Sequence, residues 1–276
     1  MATIFDGREY SLKKKILLKT NVDRLRETGV IPHLATILIG NDKASELYVN
    51  LKKKFIEEIG CQVDVYDMRH DMSSDGRHKL NENTRVSEIE ILIDSLNTDK
   101  TVQGIMIQFP LPQKLSSKKE GLINLIDPNK DVDGLQENSK FLHPTSKAIL
   151  EVIALAVYET KQEIKTVCVV GASGMVGKPL VKELKKLNYE VIECNSDTKD
   201  LELKTASADV VVSATGQANL ITSEMVKSEA VVIDVGSPFG DVNPDVSEKT
   251  GFITPVPGGV GPVTITCLAE NLIIAC

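Results

Sequence analysis

Tryptophan is absent and aromatic residues make up only 4% of the 276 positions, so any core this chain builds must come from aliphatic side chains. The five cysteines (Cys61, Cys168, Cys194, Cys267, Cys276) are odd in number, show no C-x-x-C spacing and mostly lie in apolar runs. That argues against a disulfide framework and for reduced thiols in a cytosol. The four histidines (His33, His70, His78, His143) are scattered without H-E-x-x-H or similar spacing, so no protein-bound metal is expected. A positive excess is missing too: 32 Lys plus Arg stand against 39 Asp plus Glu, a formal charge of −7. No global field recruits nucleic acid or an anionic membrane, and an acidic ligand needs a local basic patch. No segment approaches the roughly 18 uninterrupted apolar residues of a membrane span. The stretch "MATIFDGREYSLKKKILLK" has no apolar run followed by a small-residue cleavage site, so neither a secretory leader nor an anchor is expected. Repeats and low-complexity tracts are also absent. The expectation is a soluble, cytoplasmic protein with no nucleic-acid or membrane partner.

What is present is a large aliphatic reservoir, 42% hydrophobic residues, enough for two domains of ordinary size. Leu12, Ile16, Leu17, Val22 and Leu25 recur at helical spacing and stop at Gly29. "HLATILIG" reads as a buried strand, "NDKASELYVNLKKKFIEEIG" as a capped helix ending at Gly60, and "CQVDVYDM" as an alternating strand. A helix over "VSEIEILIDSLNTD" and a strand over "VQGIMIQFPLP" continue a parallel α/β pattern. After the turn-rich "DPNKDVDGL", a helical run "PTSKAILEVIALAVYET" leads to a new series. There "TVCVVGASGMVGKPLVKELKKLNYEVIECNS" is strand, glycine turn, helix and strand, followed by strands in "ADVVVSATG" and "AVVIDVG". The tail "VTITCLAENLIIAC" is an apolar helix expected to pack back on the earlier domain.

Two features carry chemistry. Gly171, Gly174 and Gly177 follow a predicted strand and open a predicted helix, the context in which glycines let a backbone approach a pyrophosphate and helix N–H groups bind its charge. A purely structural βα turn is the other reading. Tyr48 and Lys52 lie four apart on one predicted helical face, either as a catalytic pair or as solvated helix surface. Short-chain dehydrogenases also use Tyr-x-x-x-Lys, but after their glycine turn, whereas here the pair precedes the turn by more than a hundred residues. That order excludes them and puts the pair in a different domain from the dinucleotide. Gln108 reads as a strand-end cap or a functional amide, and Asp131 with Asp133 as a solvated acidic turn or a ligand site.

Taken together, "ASELYVNLKKKFIEEIG", "VQGIMIQFPLP", "DPNKDVDGL", "VVGASGMVGKP", "IDVGSPFGDV" and "TPVPGGVGPVTITCLAEN" resemble the bifunctional methylenetetrahydrofolate dehydrogenase/cyclohydrolase family, nearly end to end and in the family's order. The resemblance implies oxidation of 5,10-methylenetetrahydrofolate to the 5,10-methenyl cation with NADP or NAD, then hydrolysis to 10-formyltetrahydrofolate in one-carbon metabolism and purine biosynthesis. It implies that Tyr48 lines the pterin site, Lys52 handles protons, Gln108 orients Lys52 and Asp133 holds the pterin's amino edge. Ser45, Pro257, Gly258, Gly259 and Val260 are implied as further substrate contacts. The dinucleotide is expected on Gly171, Ala172, Ser173, Gly174, Val176, Gly177, Ser196, Thr215 and Gly216. The family often carries an arginine that grips the 2′-phosphate of NADP; here those places read Ala172 and "CNSDTKD", with Ser196, Asp197 and Lys199. NADP is the expected cofactor, with NAD admitted by Ala172 and Asp197. After "HPTSKA" the family's usual Thr-Pro-x-Gly is also missing.

The expected architecture is therefore α/β in two domains with a cleft between them. Residues 1–140, completed by a C-terminal helix at 260–276, form the folate domain, and 141–259 form a Rossmann-like NAD(P) domain. A homodimer is expected from the resemblance alone. The competing readings are a shikimate-dehydrogenase-like reductase, against which "TPVPGGVGP" argues, and a nucleotide-sensing module without chemistry, against which Tyr48, Lys52, Gln108 and Asp133 argue.

Overall fold

The computed structural model describes residues 2–68 and 82–276, side chains of 82–85 excepted. His70 and His78, part of the expectation of no metal site, lie outside the described residues. The chain runs β1 (Thr3–Ile4), α1 (Gly7–Glu27), β2 (His33–Leu38), α2 (Lys43–Glu58), β3 (Gln62–Asp67), α3 (Glu82–Thr98), β4 (Gly104–Gln108), α4 (Lys119–Asn124) and α5 (Pro144–Thr160). There follow β5 (Thr166–Val170), α6 (Gly177–Lys186), β6 (Glu190–Cys194), α7 (Leu201–Ser207), β7 (Val210–Ser213), β8 (Val231–Asp234), β9 (Phe252–Ile253) and α8 (Val260–Ile274). These elements form two compact units, the first Lys15–Leu142 with Leu268–Cys276 and the second Met1–Lys14 with His143–Cys267.

In the first unit β3, β2 and β4 form a parallel sheet with β2 in the centre. All six residues of β2 are buried, which is why its sequence is a near-continuous apolar run and not an alternation. Leu34 packs on one face with Val63, Met106 and Ile56, while Ala35 and Ile37 pack on the other with Ile105, Ile107, Ile89 and Ile93. Asp42 caps α2, its Oδ2 accepting from Ser45 N at 2.7 Å, and Gly60 at φ 99° ends the connection as the sequence predicts.

The apolar tail joins this unit as expected: Leu268, Ala269 and Leu272 enter the cluster of Leu34, Met106 and Val132. Gly104 makes room for it, since a Cβ there would lie 2.8 Å from Leu272 Cδ1 and 2.9 Å from Val132 Cγ2. Buried Asn271 donates from Nδ2 to the carbonyls of Val132 and Leu142, each at 2.9 Å.

The second unit holds a six-stranded parallel sheet in the order β1-β9-β8-β7-β5-β6. Its valine-rich strands are buried on both faces. Ile149, Val152, Leu180 and Val263 cover one face, and Ile221, Met225 and Val246 cover the other. The chain leaves β5 toward β6 on one side and returns to β7 on the other, so a topological switch lies above the carboxyl end of β5.

The α/β class and two-unit architecture agree with the sequence reading, but the unit limits differ from the expected domain limits. Residues 1–14 belong to the second unit, because Thr3 and Ile4 pair with Phe252 and Ile253 and because Phe5 and Phe252 stack at 6.0 Å. Glycine at position 7 is needed there, since a Cβ would collide with the carbonyl of Gly259. Of the C-terminal helix only Leu268 onward belongs to the first unit, while Val260, Val263 and Cys267 pack into the second unit's core.

Removing the Asn271 amide takes a donor from each of two carbonyls. Asn271→Ala is expected to destabilise the protein by about 2–4 kcal/mol, from about 1–3 for each unsatisfied group less relaxation. Chemical denaturation with near-parental midpoint would show that neither bond matters.

Candidate active site

In the first unit α2 presents Ser45, Tyr48 and Lys52 at spacings of three and four, which keeps them on neighbouring turns of one face. Gln108 comes from the last position of β4, on the same sheet face as Met106 by strand alternation. Lys52 Nζ donates to Gln108 Oε1 at 3.0 Å, and Gln108 Nε2 donates to the Phe109 carbonyl at 2.7 Å. The second bond uses the amide's nitrogen and leaves its oxygen for the lysine. Ser45 Oγ donates to Asp42 Oδ2 at 2.7 Å and lies 3.3 Å from the same Phe109 carbonyl, so the start of α2 is fixed to the end of β4.

Burial pulls the Lys52 amine below the usual lysine range, while the negative charge of Asp133 pulls it back up. A lysine whose charged form is disfavoured can give and take protons closer to neutrality, as general acid–base chemistry requires. Neutral Gln108 accepts an N–H from either form of the amine, so it positions Nζ without locking it charged.

The loop carrying Asp133 is built by its neighbours. Lys130 Nζ donates to the carbonyls of Leu96 at 2.8 Å and Asp99 at 2.6 Å. Asp131 is buried and its Oδ2 accepts from Gln136 N at 3.0 Å, and Gly134 takes φ 61° to turn the chain. Asp131 is thus a loop fastener whose carboxyl is raised by burial. Asp133 is half-buried, and among the described residues nothing hydrogen-bonds to its carboxylate or to Tyr48 Oη. Both are available to a ligand.

In the second unit Gly171 leaves β5 at φ 89°, with Gly171 N and Ala172 N donating to the Cys194 carbonyl at 2.8 and 3.1 Å. A Cβ on Gly171 would sit 2.5 Å from the Ala214 carbonyl, and one on Gly177 would collide with the Gly171 carbonyl. The turn therefore packs helix α6 against its own backbone in a way only glycine permits. Above it lies a cavity of about 400 Å³. Gly171, Ser173, Gly174, Ser196 and Thr215, all expected from sequence, line it. Ala172 is buried behind the turn, Val176 and Gly177 join the turn to α6, and Gly216 follows Thr215 outside the lining.

Asn195, Thr198, Gln217, Leu201 and Leu220 also line the cavity and were not anticipated. Asn195 Oδ1 accepts from Ser173 N at 2.8 Å and its own N–H bonds Thr198 Oγ1 at 2.8 Å, so it ties the glycine turn to the loop after β6. An asparagine directly after a predicted strand was the available signal. Asp197 and Lys199 are exposed and outside the lining. Pro257, Gly258, Gly259 and Val260 belong to the second unit. Gly258 sits at φ 104°, and Val260 has its side chain in the core, which leaves only its backbone for a ligand.

Comparison with known proteins divides the chain between residues 133 and 143, in chain order, so residues 5–14 and 268–276 fall to the other side from the compact units. Residues 5–133 match the family described as tetrahydrofolate dehydrogenase/cyclohydrolase, catalytic domain, and residues 143–276 match its NAD(P)-binding domain. The bifunctional protein FolD of Lactobacillus helveticus is 39% identical over 99% of this chain and 97% of its own length. The crystal structure of the bifunctional FolD methylenetetrahydrofolate dehydrogenase/cyclohydrolase of Campylobacter jejuni is 36% identical, covers 100% of this chain and 98% of its own, and superposes with a TM-score of 0.87. That of the Trypanosoma brucei enzyme, complexed with NADP cofactor and inhibitor, is 30% identical over 99% of this chain and 97% of its own, at a TM-score of 0.85.

The Lys52 environment is testable without turnover. Asp133 is the charge that raises the amine, so Asp133→Asn should move the Lys52 pKa further down. Titration of isotope-labelled lysine side chains by NMR checks this; an upward movement or none would mean that the two charges do not interact.

Proposed function

The chain belongs to the tetrahydrofolate dehydrogenase/cyclohydrolase family, and on that premise we propose that its first unit holds the folate and moves protons while its second holds the dinucleotide. The enzyme is bifunctional: it oxidises 5,10-methylenetetrahydrofolate to 5,10-methenyltetrahydrofolate with NAD(P) and hydrolyses the product to 10-formyltetrahydrofolate. The observation that supports the division of labour best is the desolvated Lys52 amine bonded to Gln108 beside Asp133, within the residues matching the catalytic domain.

In this reading Asp133 accepts two N–H bonds from the pterin's amino edge, which a carboxylate does and an apolar side chain cannot. Tyr48 lays a flat apolar face along the ring and keeps its hydroxyl at the polar rim. Ser45 lies one helical turn before Tyr48, where its hydroxyl helps set the start of α2. During hydrolysis neutral Lys52 takes a proton from the water attacking the methenyl carbon. As the carbon–N5 bond breaks, Lys52 returns a proton to N5, the adduct's hydroxyl gives up its remaining proton to solvent, and the carbon stays on N10 as the formyl group. Gln108 holds Nζ in place throughout.

The second unit fits a dinucleotide by its glycine turn and by the polar lining of its cavity. When bound, NAD(P) supplies the hydride acceptor for the methylene carbon. Gly171, Ser173 and Gly174 offer the close backbone approach a pyrophosphate needs. NADP is the proposed cofactor, supported by the family and by the NADP complex of the Trypanosoma brucei relative. A homodimer working in the cytoplasm, within purine biosynthesis, completes the proposal. Among the described residues no helix is long and apolar enough to cross a membrane.

Hydride loss creates the cation without any proton transfer, whereas hydration and ring opening require protons to move. Lys52→Met should therefore lower cyclohydrolase activity by at least about 10²-fold and leave measurable dehydrogenase. Assays following methenyltetrahydrofolate absorbance in both directions decide it; hydrolysis at the parental rate would remove Lys52 from its role.

No arginine stands at Ala172 or in "CNSDTKD", and Asp197 lies outside the cavity lining while Ser196 lies in it. Charge-assisted bonds to a 2′-phosphate contribute about 1.5–3 kcal/mol each, so without an arginine fork the preference for NADP over NAD should be below about a hundredfold in kcat/KM. Both cofactors measured at one ionic strength test this, and strict dependence on either would contradict it.

A further inference from the structure

Asp241 is fully buried in the second unit, and neither reaction above gives its carboxylate a task. Oδ2 accepts from Ser213 Oγ at 2.9 Å, Thr215 N at 2.7 Å, Thr215 Oγ1 at 2.9 Å and Gly216 N at 3.3 Å. Oδ1 has no hydrogen-bond partner among the described residues. It lies against the backbone of Gly236, where a Cβ would come within 2.7 Å of it. One oxygen carries four donors and the other none, so the interaction is concentrated on the loop after β7. That loop, through Ala214, Thr215 and Gln217, is a wall of the cavity above the glycine turn.

The carboxylate is itself held from behind. Asp241 N donates to Asp234 Oδ1 at 3.0 Å, and Asp234 also accepts from Gly236 N at 2.8 Å and Val242 N at 3.0 Å. Asp241 is therefore a fixed point and not an adaptable surface group.

A carboxylate oxygen only accepts, so the contact with Thr215 Oγ1 settles which way that hydroxyl's single proton points. One of the two lone pairs on Oγ1 then takes the N–H of Gln217 at 3.1 Å. What remains for a ligand is one lone pair. We propose that Asp241 is a positioning residue that turns Thr215 into an acceptor-only reader of the dinucleotide, so that this wall recognises a ligand O–H or N–H and rejects a phosphate oxygen. A ribose hydroxyl and the nicotinamide carboxamide both offer such a donor. The assignment rests on reading the cavity as the dinucleotide site.

The test uses the full-length protein and three substitutions, Thr215→Val, Thr215→Ser and Asp241→Asn. Affinity for NADH, NADPH and ADP-ribose is measured by calorimetry, and dehydrogenase KM and kcat are measured separately. Hydrolysis of methenyltetrahydrofolate consumes no dinucleotide and reports the folded fraction. Thr215→Val should weaken dinucleotide binding about three- to tenfold, the loss of one neutral hydrogen bond, and Thr215→Ser should restore it. Asp241→Asn should raise the dinucleotide KM about tenfold or more, with kcat changing much less. Weakening of ADP-ribose along with NADH identifies a ribose hydroxyl as the donor, and weakening of NADH alone identifies the carboxamide. Parental affinity in Thr215→Val overturns the proposal, as does a fall in kcat at unchanged KM in Asp241→Asn. Should Asp241→Asn fail to fold, the two Thr215 variants decide alone. Failure of the parent protein to bind any dinucleotide would instead overturn the reading of the cavity.

Discussion

On the proposed role of Lys52, the constraint on which the first unit's chemistry depends is holding one amine away from water while keeping a carboxylate close enough to act on it. Desolvation penalises the ammonium form of Lys52, and a carboxylate in direct ion pair would reverse that penalty and keep the lysine charged. The structure takes the intermediate course. It bonds Nζ to a neutral amide at 3.0 Å and leaves the charge of Asp133 to act through space. Much of the surrounding architecture keeps that compromise in register. Gln108 cannot rotate freely because its Nε2 is bonded to the Phe109 carbonyl, and Ser45 lies against the same carbonyl from the start of α2. The loop of Asp133 is fastened by Asp131 on one side and by Asn271 through the Val132 carbonyl on the other.

The second unit solves a different problem with different groups. A pyrophosphate brings its own charge, and what it needs is a backbone it can approach closely at the start of a helix. Glycines at 171 and 177 supply that by packing the turn against Ala214 and against itself, so the site is built from backbone and neutral side chains. The carboxylate behind the cavity's wall, Asp241, has its charge spent on four internal donors and is sealed from solvent. Cys168 and Cys194, whose sulfurs lie 3.6 Å apart beneath the same turn, are buried, and burial pushes the Cys168 thiol well above its ordinary range. Proximity to the turn therefore does not make Cys168 reactive, since it is the thiolate that attacks.

How far the sequence was legible follows from the length of each signal. Strands such as "HLATIL" and "VVVS" are β-branched or aliphatic apart from His33 and Ser213 at their ends and are bounded by turn residues, so residue type and pattern identify them, and the cap of α2 at Asp42 is as plain. The pairing of β1 with β9 was not legible, because two residues show no periodicity and their partner lies some 250 positions away. The expected domain limits follow chain order and so keep residues 1–14 with the elements after them, whereas the pairing of β1 with β9 puts them in the second compact unit. Tyr48, Lys52, Gln108 and Asp133 were legible only through the family resemblance, since each alone has an ordinary structural reading. Asn195, Gln217 and Asp241 gave still less, because their importance lies in bonds to Ser173, to Thr215 and across β7, which no local pattern encodes.

On the roles proposed above, the division between units also explains why a single lysine suffices for an enzyme of two reactions. Oxidation removes a hydride from a carbon already flanked by nitrogens, and the resulting charge is spread over them, so no side chain has to supply or remove a proton in that step. Hydrolysis alone needs protons moved, one from the attacking water, one to nitrogen and a last one from the adduct's hydroxyl to solvent, and an amine whose charged form is disfavoured by burial can carry out the first two in turn. Strong coupling to a carboxylate would suit neither transfer. A fully isolated amine would be a base that could not be reprotonated readily. The charge of Asp133, which raises the amine without an ion pair to it, acts between these limits, and because nothing among the described residues hydrogen-bonds to that carboxylate, in the proposed reading it binds the substrate's amino edge at the same time. Substrate N–H donors gathered at Asp133 would partly screen its charge from Lys52, so binding itself favours the neutral amine that begins the hydrolysis.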